Sequence, residues 1–403
     1  MAGHAGPPDI RLLDGSFYVA DPEPAYAWLR RHAPVYWDEH GELWGVARHA
    51  DVMAVSKNPE AFCSGQSSRP DSPALPSMIN RDDPHHRLQR ALVSKGFTPR
   101  RVEAHAPRIR ALCRELIERV SARGECDFVS EIAAPLPMIL IGDMLGVAAE
   151  DRDRLQRWSD DLIAGTSLDA APEVAARAAE SFQEYAEYNR RVVAECRSKP
   201  PQEGLMSVLV HAEIDGQRLD DDLLLHESLL LLVGGNETTR NVISGGMEAL
   251  IRNPEQRRVL LDDPAKIRSG VEEMLRWVTP ILNMNRTATR DVEVGGQRIR
   301  KGDKVLLLYA SANRDEEVFD RPERFEVERH PNPHVAFGGY GAHFCLGAPL
   351  ARLELNIVFE ELLRRLPDME LARPGELSRT PSNFIRGIRE MPVVFTPREP
   401  EAG

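Results

Sequence analysis

Phe337-Gly-Gly-Tyr-Gly-Ala-His-Phe-Cys345-Leu-Gly-Ala-Pro-Leu-Ala-Arg-Leu-Glu354 is the stretch that decides how this chain is read. A cysteine stands between two glycine-bearing turns, and the run from Leu350 to Leu366 places apolar residues at helical spacing. Cys345 is thus expected just ahead of a helix N-terminus. Unpaired amides and the positive end of the helix dipole would lower its thiol pKa there, and a thiolate is a soft metal ligand. Gly341 and Gly347, lacking a β-carbon, would let the backbone approach a flat cofactor closely. A lone cysteine beside a helix cap is ordinarily a small buried side chain, so the rest of the chain has to argue for a ligand.

Composition bounds that argument. The 403 residues carry a formal charge of −12 and are 42% hydrophobic, enough for a sizeable core and adverse to nucleic acid as a general partner. Proline and glycine are dispersed rather than gathered into a linker, which predicts a single domain over 1–403. Met1-Ala-Gly-His-Ala-Gly-Pro-Pro-Asp-Ile has no apolar run behind a basic segment, so neither a secretory signal nor a membrane anchor is expected. The greasiest run, Leu223 to Val233, is interrupted by His226, Glu227 and Ser228 and is too short to span a bilayer. Cys63, Cys113, Cys126, Cys196 and Cys345 show neither zinc-like nor paired spacing, which points to a reduced, cytoplasmic protein.

Periodicity supplies the elements. Ala25 to Arg31 reads as a short helix, and Leu43 to His49 as a strand leading into a helix near Ala50. Ser64 to Ser77, rich in proline, serine and glycine, reads as loop, and Pro84 opens a helix over His85 to Lys95. From Arg101 to about Arg197 four or five helices are expected, broken near Gly124, near Gly146 and over Ser167 to Pro172. Asp220 to Ile251 is one long helical pattern whose middle holds Gly234-Gly235, each about 1 kcal/mol unfavourable in a helix. Helices continue from Pro254 to Val278; Val292 to Ile299 reads as a hairpin, with strands at Lys304 to Tyr309 and Met391 to Thr396. A mainly α fold with small β-sheets follows.

The stretch around Cys345 closely resembles the haem-ligating signature of the cytochrome P450 family, and the resemblance extends over essentially the whole chain in the expected order. It implies a helix-rich lobe plus a smaller β-rich lobe, haem b between a long distal helix and a proximal cysteine loop, and Cys345 as the axial ligand of the haem iron. The usual spacing puts the phenylalanine one residue nearer the cysteine than Phe337 stands, so an extra residue lies around Gly339-Tyr340. Leu229-Leu-Leu-Leu-Val-Gly-Gly-Asn-Glu-Thr-Thr-Arg240 resembles the distal helix. The resemblance implies a bulge at the glycine pair that leaves space for dioxygen, Thr238 holding hydrogen-bonded water on the oxygen side, and Glu237 feeding protons from solvent. Asn236 receives no role.

By the same resemblance, Glu273 and Arg276 form the Glu-x-x-Arg pair, and Arg324 of Phe319-Asp-Arg-Pro-Glu-Arg-Phe325 joins them in a buried ion network that supports the haem loop. His86, Arg90, Arg286 and His343 match the partners of the haem propionates, with His85 the solvent-facing neighbour. Any of these alone is an ordinary surface pattern; their order along the chain carries the reading. Arg69 to Pro76, Gly124 to Phe128, Ile141 to Val147, Trp158-Ser-Asp-Asp161 and Met391 to Pro397 look like the bacterial members that hydroxylate the side-chain end of cholesterol or cholest-4-en-3-one. Pocket positions by family place are Met78, Ile79, Leu230, Val233, Gly234, Ile281, Leu282, Met284, Phe384 and Ile385. They are almost all apolar, as a lipophilic ligand bound by area burial requires, although half of them could equally fill core.

The resulting expectation is a monooxygenase inserting one atom of dioxygen into an unactivated C–H bond of a steroid or similar lipid. Electrons would come from a separate ferredoxin and ferredoxin reductase, because the chain has no flavin, nicotinamide or iron–sulfur fingerprint. Arg101, Arg110 and Arg352 are candidates for a basic docking patch. Alternatives within the fold are a terpene or macrolide hydroxylase, or a peroxide-driven enzyme, against which Glu237 and Thr238 argue. A haem carrier or sensor without turnover is the reading from another class. No heptad pattern appears, so a monomer is expected.

Overall fold

The computed structural model describes residues 8–165, 171–202, 204–214, 216–375 and 377–399. The opening residues and most of the break expected over 167–172 lie outside these. Seven helices position the site. Helix α1, His85–Ser94, starts behind Pro84, where a missing N–H goes unnoticed. Helix α2, Ala106–Ser121, turns Ile109, Leu112, Leu116, Ile117 and Val120 inward at helical spacing. Helix α3, Pro135–Leu145, is apolar nearly all round and correspondingly buried, and stops at Gly146 in the left-handed conformation. Helix α4 is Arg152–Ala164. Helix α5, Asp221–Arg252, is capped by Asp220, whose carboxylate accepts the Leu223 N–H at 2.7 Å. Helix α6 is Ile267–Val278 and α7 is Ala348–Arg365.

Helix α5 lies at the centre, packed on α3, α4, α6 and α7. The expected bulge at Gly234-Gly235 is not there, because α5 stays α-helical through both residues. Their packing explains the glycines instead. A β-carbon on Gly235 would sit 3.2 Å from Cδ1 of Ile141 in α3, whereas one on Gly234 would meet nothing within 4 Å. One glycine lets two helices close up, and the other leaves one side of α5 bare.

The main sheet holds β1 (Val35–Asp38), β2 (Leu43–Val46), β3 (Phe62–Cys63), β4 (Asn283–Ala288) and β5 (Lys304–Leu308), in the order β1-β2-β5-β4-β3. All its pairs are antiparallel except β5 with β2. Both faces are covered: Val305 and Leu307 of β5 enter one apolar cluster, and Leu306 and Leu308 enter another. Strand β4 carries no strand signature of its own, since Asn-Met-Asn-Arg-Thr-Ala shows no apolar alternation. It is buried all the same, because Asn283 Nδ2 donates to the Asn383 carbonyl at 2.7 Å and Asn285 Nδ2 to that of Ser67 at 3.0 Å. The hairpin Val292–Val294 with Gln297–Ile299 and the strand Pro392–Val394 stand where the pattern put them. Among the described residues no helix is long and apolar enough to cross a membrane.

Candidate active site

The cysteine loop is closed by its own backbone. The Cys345 N–H donates to the Phe337 carbonyl at 2.9 Å, and the Gly338 N–H to that of Val335 at 2.9 Å. Helix α7 begins at Ala348, so Cys345 does precede a helix start. The thiol pKa nevertheless moves the other way from expectation. Desolvation by the protein packed around the loop raises it even though Cys345 keeps an exposed side, and this outweighs the Gly347 and Ala348 amides and the Arg90 and Arg352 guanidiniums, which favour the thiolate. The helix end alone does not make a thiolate here; bonding to a metal, which deprotonates a thiol outright, would. Gly341 is also explained differently: a β-carbon there would overlap the Ser56 carbonyl oxygen, and one on Gly339 would overlap the Ser56 hydroxyl. These two glycines seat the loop on the helix His49–Ser56. The residue between them, Tyr340, takes up the extra length by adopting a positive φ of 57°. It is 46% exposed and stacks on Phe344 at 4.9 Å. Phe337 lies under the Arg352 guanidinium, 4.6 Å from ring centre to Cζ.

Beside the loop, four groups drawn from three elements converge. The His86 and His343 rings stack at 4.0 Å, and Arg90 Nη2 donates to the Phe344 carbonyl at 2.5 Å. Burial, then the charges of Arg286, His86 and Arg90, push the His343 imidazole down to about 2, so it stays neutral. Arg286 reaches this place from β4 and is itself buried. His86 has a weak partner in Asp83 at 3.4 Å, and its buried Nε2 has none. Two arginines and two imidazoles packed together with so little counter-charge form a site for an anion. Together with Cys345, this donor set fits haem b: the sulfur would bind the iron, and His86, Arg90, Arg286 and His343 would hold the two propionates.

On α5, Glu237 is 1% exposed, and burial pushes its carboxyl up to about 7 against the pull of Arg240. Arg240 bonds Glu237 at 2.6 Å and Asp160 of α4 at 2.9 Å, and the Asp160 side chain is 49% exposed. The three form a line from solvent to the buried acid. Asn236, given no role from sequence, donates to Glu237 at 3.2 Å and to Ser159 at 3.3 Å. Trp158-Ser-Asp-Asp161, read only as a mark of kinship, therefore braces the acid. Thr238 donates its hydroxyl proton to the Gly234 carbonyl at 2.7 Å, which leaves its oxygen free to accept from water.

The ion network differs from expectation in one member. Arg276 binds Glu273 through two nitrogens at 2.7 and 2.8 Å, both side chains being fully buried. Arg324 is exposed and offers only its carbonyl, which accepts from Arg276 at 2.9 Å. The third cation is Arg329, 3.1 Å from Glu273 and 5% exposed. The turn that follows Phe325 is closed by the Arg329 N–H on the Glu326 carbonyl at 3.0 Å, and Arg329 rather than Arg324 is buried. Arg329→Ala should lower stability to denaturant by about 1–3 kcal/mol, as for a lost hydrogen bond to a charged group, and Arg324→Ala by under about 0.5 kcal/mol. Equal losses would return the role to Arg324.

Of the expected pocket residues, Ile79, Leu230, Val233, Gly234, Ile281, Met284 and Phe384 keep accessible surface. Leu282 and Ile385 do not: they are 2% and 3% exposed, and Leu282 belongs to the cluster under the main sheet. Met78 is likewise buried in the helical core. Two docking candidates are also engaged elsewhere, since Arg110 binds Glu360 and Glu361, and Arg352 binds Glu272. Arg101 makes no ion pair among the described residues.

The pattern of the cytochrome P450 family matches residues 267–373. The steroid C26-monooxygenase of Mycobacterium tuberculosis is 48% identical over 395 residues, covering 98% of either chain. A Mycobacterium marinum cytochrome P450 solved with pseudoionone superposes with a TM-score of 0.90 at 38% identity, covering 96% of this chain and 98% of that one. A Bacillus megaterium cytochrome P450 solved with testosterone gives 0.84 at 35% identity, over 93% and 99%.

Proposed function

Because this chain belongs to the cytochrome P450 family, and is thereby a haem b monooxygenase, we propose that its substrate is a steroid and that it hydroxylates an unactivated C–H bond at the side-chain end. The observation that carries this is the near-full-length similarity to a steroid C26-monooxygenase. Ile79, Leu230, Val233, Ile281 and Met284, all apolar and each keeping accessible surface, support it, since a steroid binds mainly by area burial. Haem bound through Cys345 supplies dioxygen activation, one atom entering the substrate and the other leaving as water with two electrons and two protons.

The chain's own residues manage the protons. Asp160 meets solvent, Arg240 bridges it to Glu237, and Glu237, poised near neutrality, passes protons inward. Thr238 orients the last water. Thr238→Ala should cut product formed per reduced nicotinamide about tenfold, the worth of one well-placed hydrogen bond; unchanged coupling would remove this role. The electrons are assigned to a ferredoxin and its reductase, with Arg101 the remaining candidate of the three for docking.

Titrating the ferric enzyme with cholest-4-en-3-one tests the substrate. A Soret shift to shorter wavelength is expected. A thiolate-haem spectrum that the steroid leaves unmoved would return the substrate to an unknown lipid.

A further inference from the structure

Glu227 interrupts the most apolar part of α5, and the mechanism does not use it. It is 1% exposed. Its Oε1 accepts the Met78 N–H at 2.6 Å and the Gln89 side-chain amide of α1 at 3.3 Å, while Oε2 is buried with no hydrogen-bond partner. Burial pushes the carboxyl up to about 7, opposed by the Met78 hydrogen bond and the Arg81 charge. A leucine would fill this place without such a penalty, so the acid needs a reason. Without it the Met78 amide would be a buried donor left unpaired.

The loop that carries Met78 is fastened toward its two ends and braced internally by Asn80, whose Oδ1 accepts the Ser68 N–H at 2.7 Å and whose Nδ2 donates to the Leu75 carbonyl at 3.1 Å. Ser67, Ser68 and Pro70 give their carbonyls to Asn285 of β4 and Lys304 of β5. Asp82 takes the Ser64 and Gly65 amides. Between these points the short 3-10 turn Met78–Asn80 is tied to α5 through Glu227. Residues 227, 230, 234 and 238 are three and four apart, and so share one face of α5. Glu227 stands about 10 Å before Gly234 along the axis, at 1.5 Å per residue. It therefore fixes the Met78–Ile79 segment on the same helix face that holds Leu230, Gly234 and Thr238.

We propose that Glu227 is a positioning residue for the substrate: by anchoring the Met78 amide to α5 it sets how far the Ile79 wall stands from the Leu230–Gly234 face, and so which ligand lengths the site accepts. This rests on the steroid reading, and the test separates the two. Holoenzymes carrying Glu227→Leu or Glu227→Gln are titrated with cholest-4-en-3-one and with testosterone, which lacks the side chain, and the carbon monoxide difference spectrum checks the haem loop. In the Leu variant the Kd for cholest-4-en-3-one should rise about tenfold, as for one lost hydrogen bond, and more than that for testosterone. The loss in kcat/KM should fall on KM. The Gln variant keeps an acceptor oxygen for Met78 and should stay within about threefold of the parent.

A Leu variant that binds both steroids like the parent, or a Gln variant that falls as far as Leu, overturns the proposal. If the Leu variant does not hold haem, Glu227→Asp takes its place. One methylene shorter, it draws the wall inward and should change the ratio of the two affinities by about threefold or more; an unchanged ratio overturns the proposal. If the parent binds neither steroid, the substrate reading fails, and the anchor is judged by amide exchange over residues 74–82. Exchange faster in Leu than in Gln supports it, and equal exchange overturns it.

Discussion

Glu273→Ala should leave little folded, haem-loaded protein. The Glu273 carboxylate accepts from Arg276 at 2.7 and 2.8 Å, from Arg329 at 3.1 Å, from the Glu326 N–H at 2.8 Å and from Asn332 at 3.2 Å. Its removal strands the fully buried Arg276 beside the nearly buried Arg329. Removing one partner from a buried pair costs about 3–5 kcal/mol, against a total stability of about 5–15 kcal/mol for a folded protein. The loss would also reach the cysteine loop. Arg276 donates to the Asn313 carbonyl at 2.9 Å, and the Asn313 side chain takes the Val335 N–H at 2.8 Å, two residues before Phe337. Denaturant midpoint and haem content of purified protein check this together. A variant within about 1 kcal/mol of the parent would show that the network does not support the loop.

Glu237→Gln should lower turnover by about 10²–10⁴-fold, the usual worth of a positioned proton donor, with substrate binding little changed. Its pH dependence has a definite sign. Burial raises the Glu237 carboxyl to about 7. Its proton is therefore present below that pH and lost above it, so parent turnover should fall as pH rises through about 7. The Gln variant, with nothing to titrate there, should lack that limb. The same shift bears on stability: the protonated buried acid is favoured at low pH, and its contribution is lost as pH rises from the ordinary carboxyl value through about 7. Steady-state turnover against pH in both proteins decides the matter, and a limb that persists in the Gln variant belongs to another group.

The parts of the enzyme written at short, constant spacing are legible in the chain alone. The cysteine loop, the long helix with its glycine pair and Glu237-Thr238, and the one-turn pair His86 and Arg90 each need only a local run of residues to be recognised. Helical periodicity delimited α5 almost to the residue. Pairings between distant segments come from the folded packing instead. Arg324 and Arg329 lie in one short turn region with the same charge, and only the folded chain shows which guanidinium enters the core. Asp160 and Arg240 are eighty residues apart, and Met78 and Glu227 farther still. Strand β4 is polar and buried because its amides find partners across the fold, which no period in its own sequence can announce.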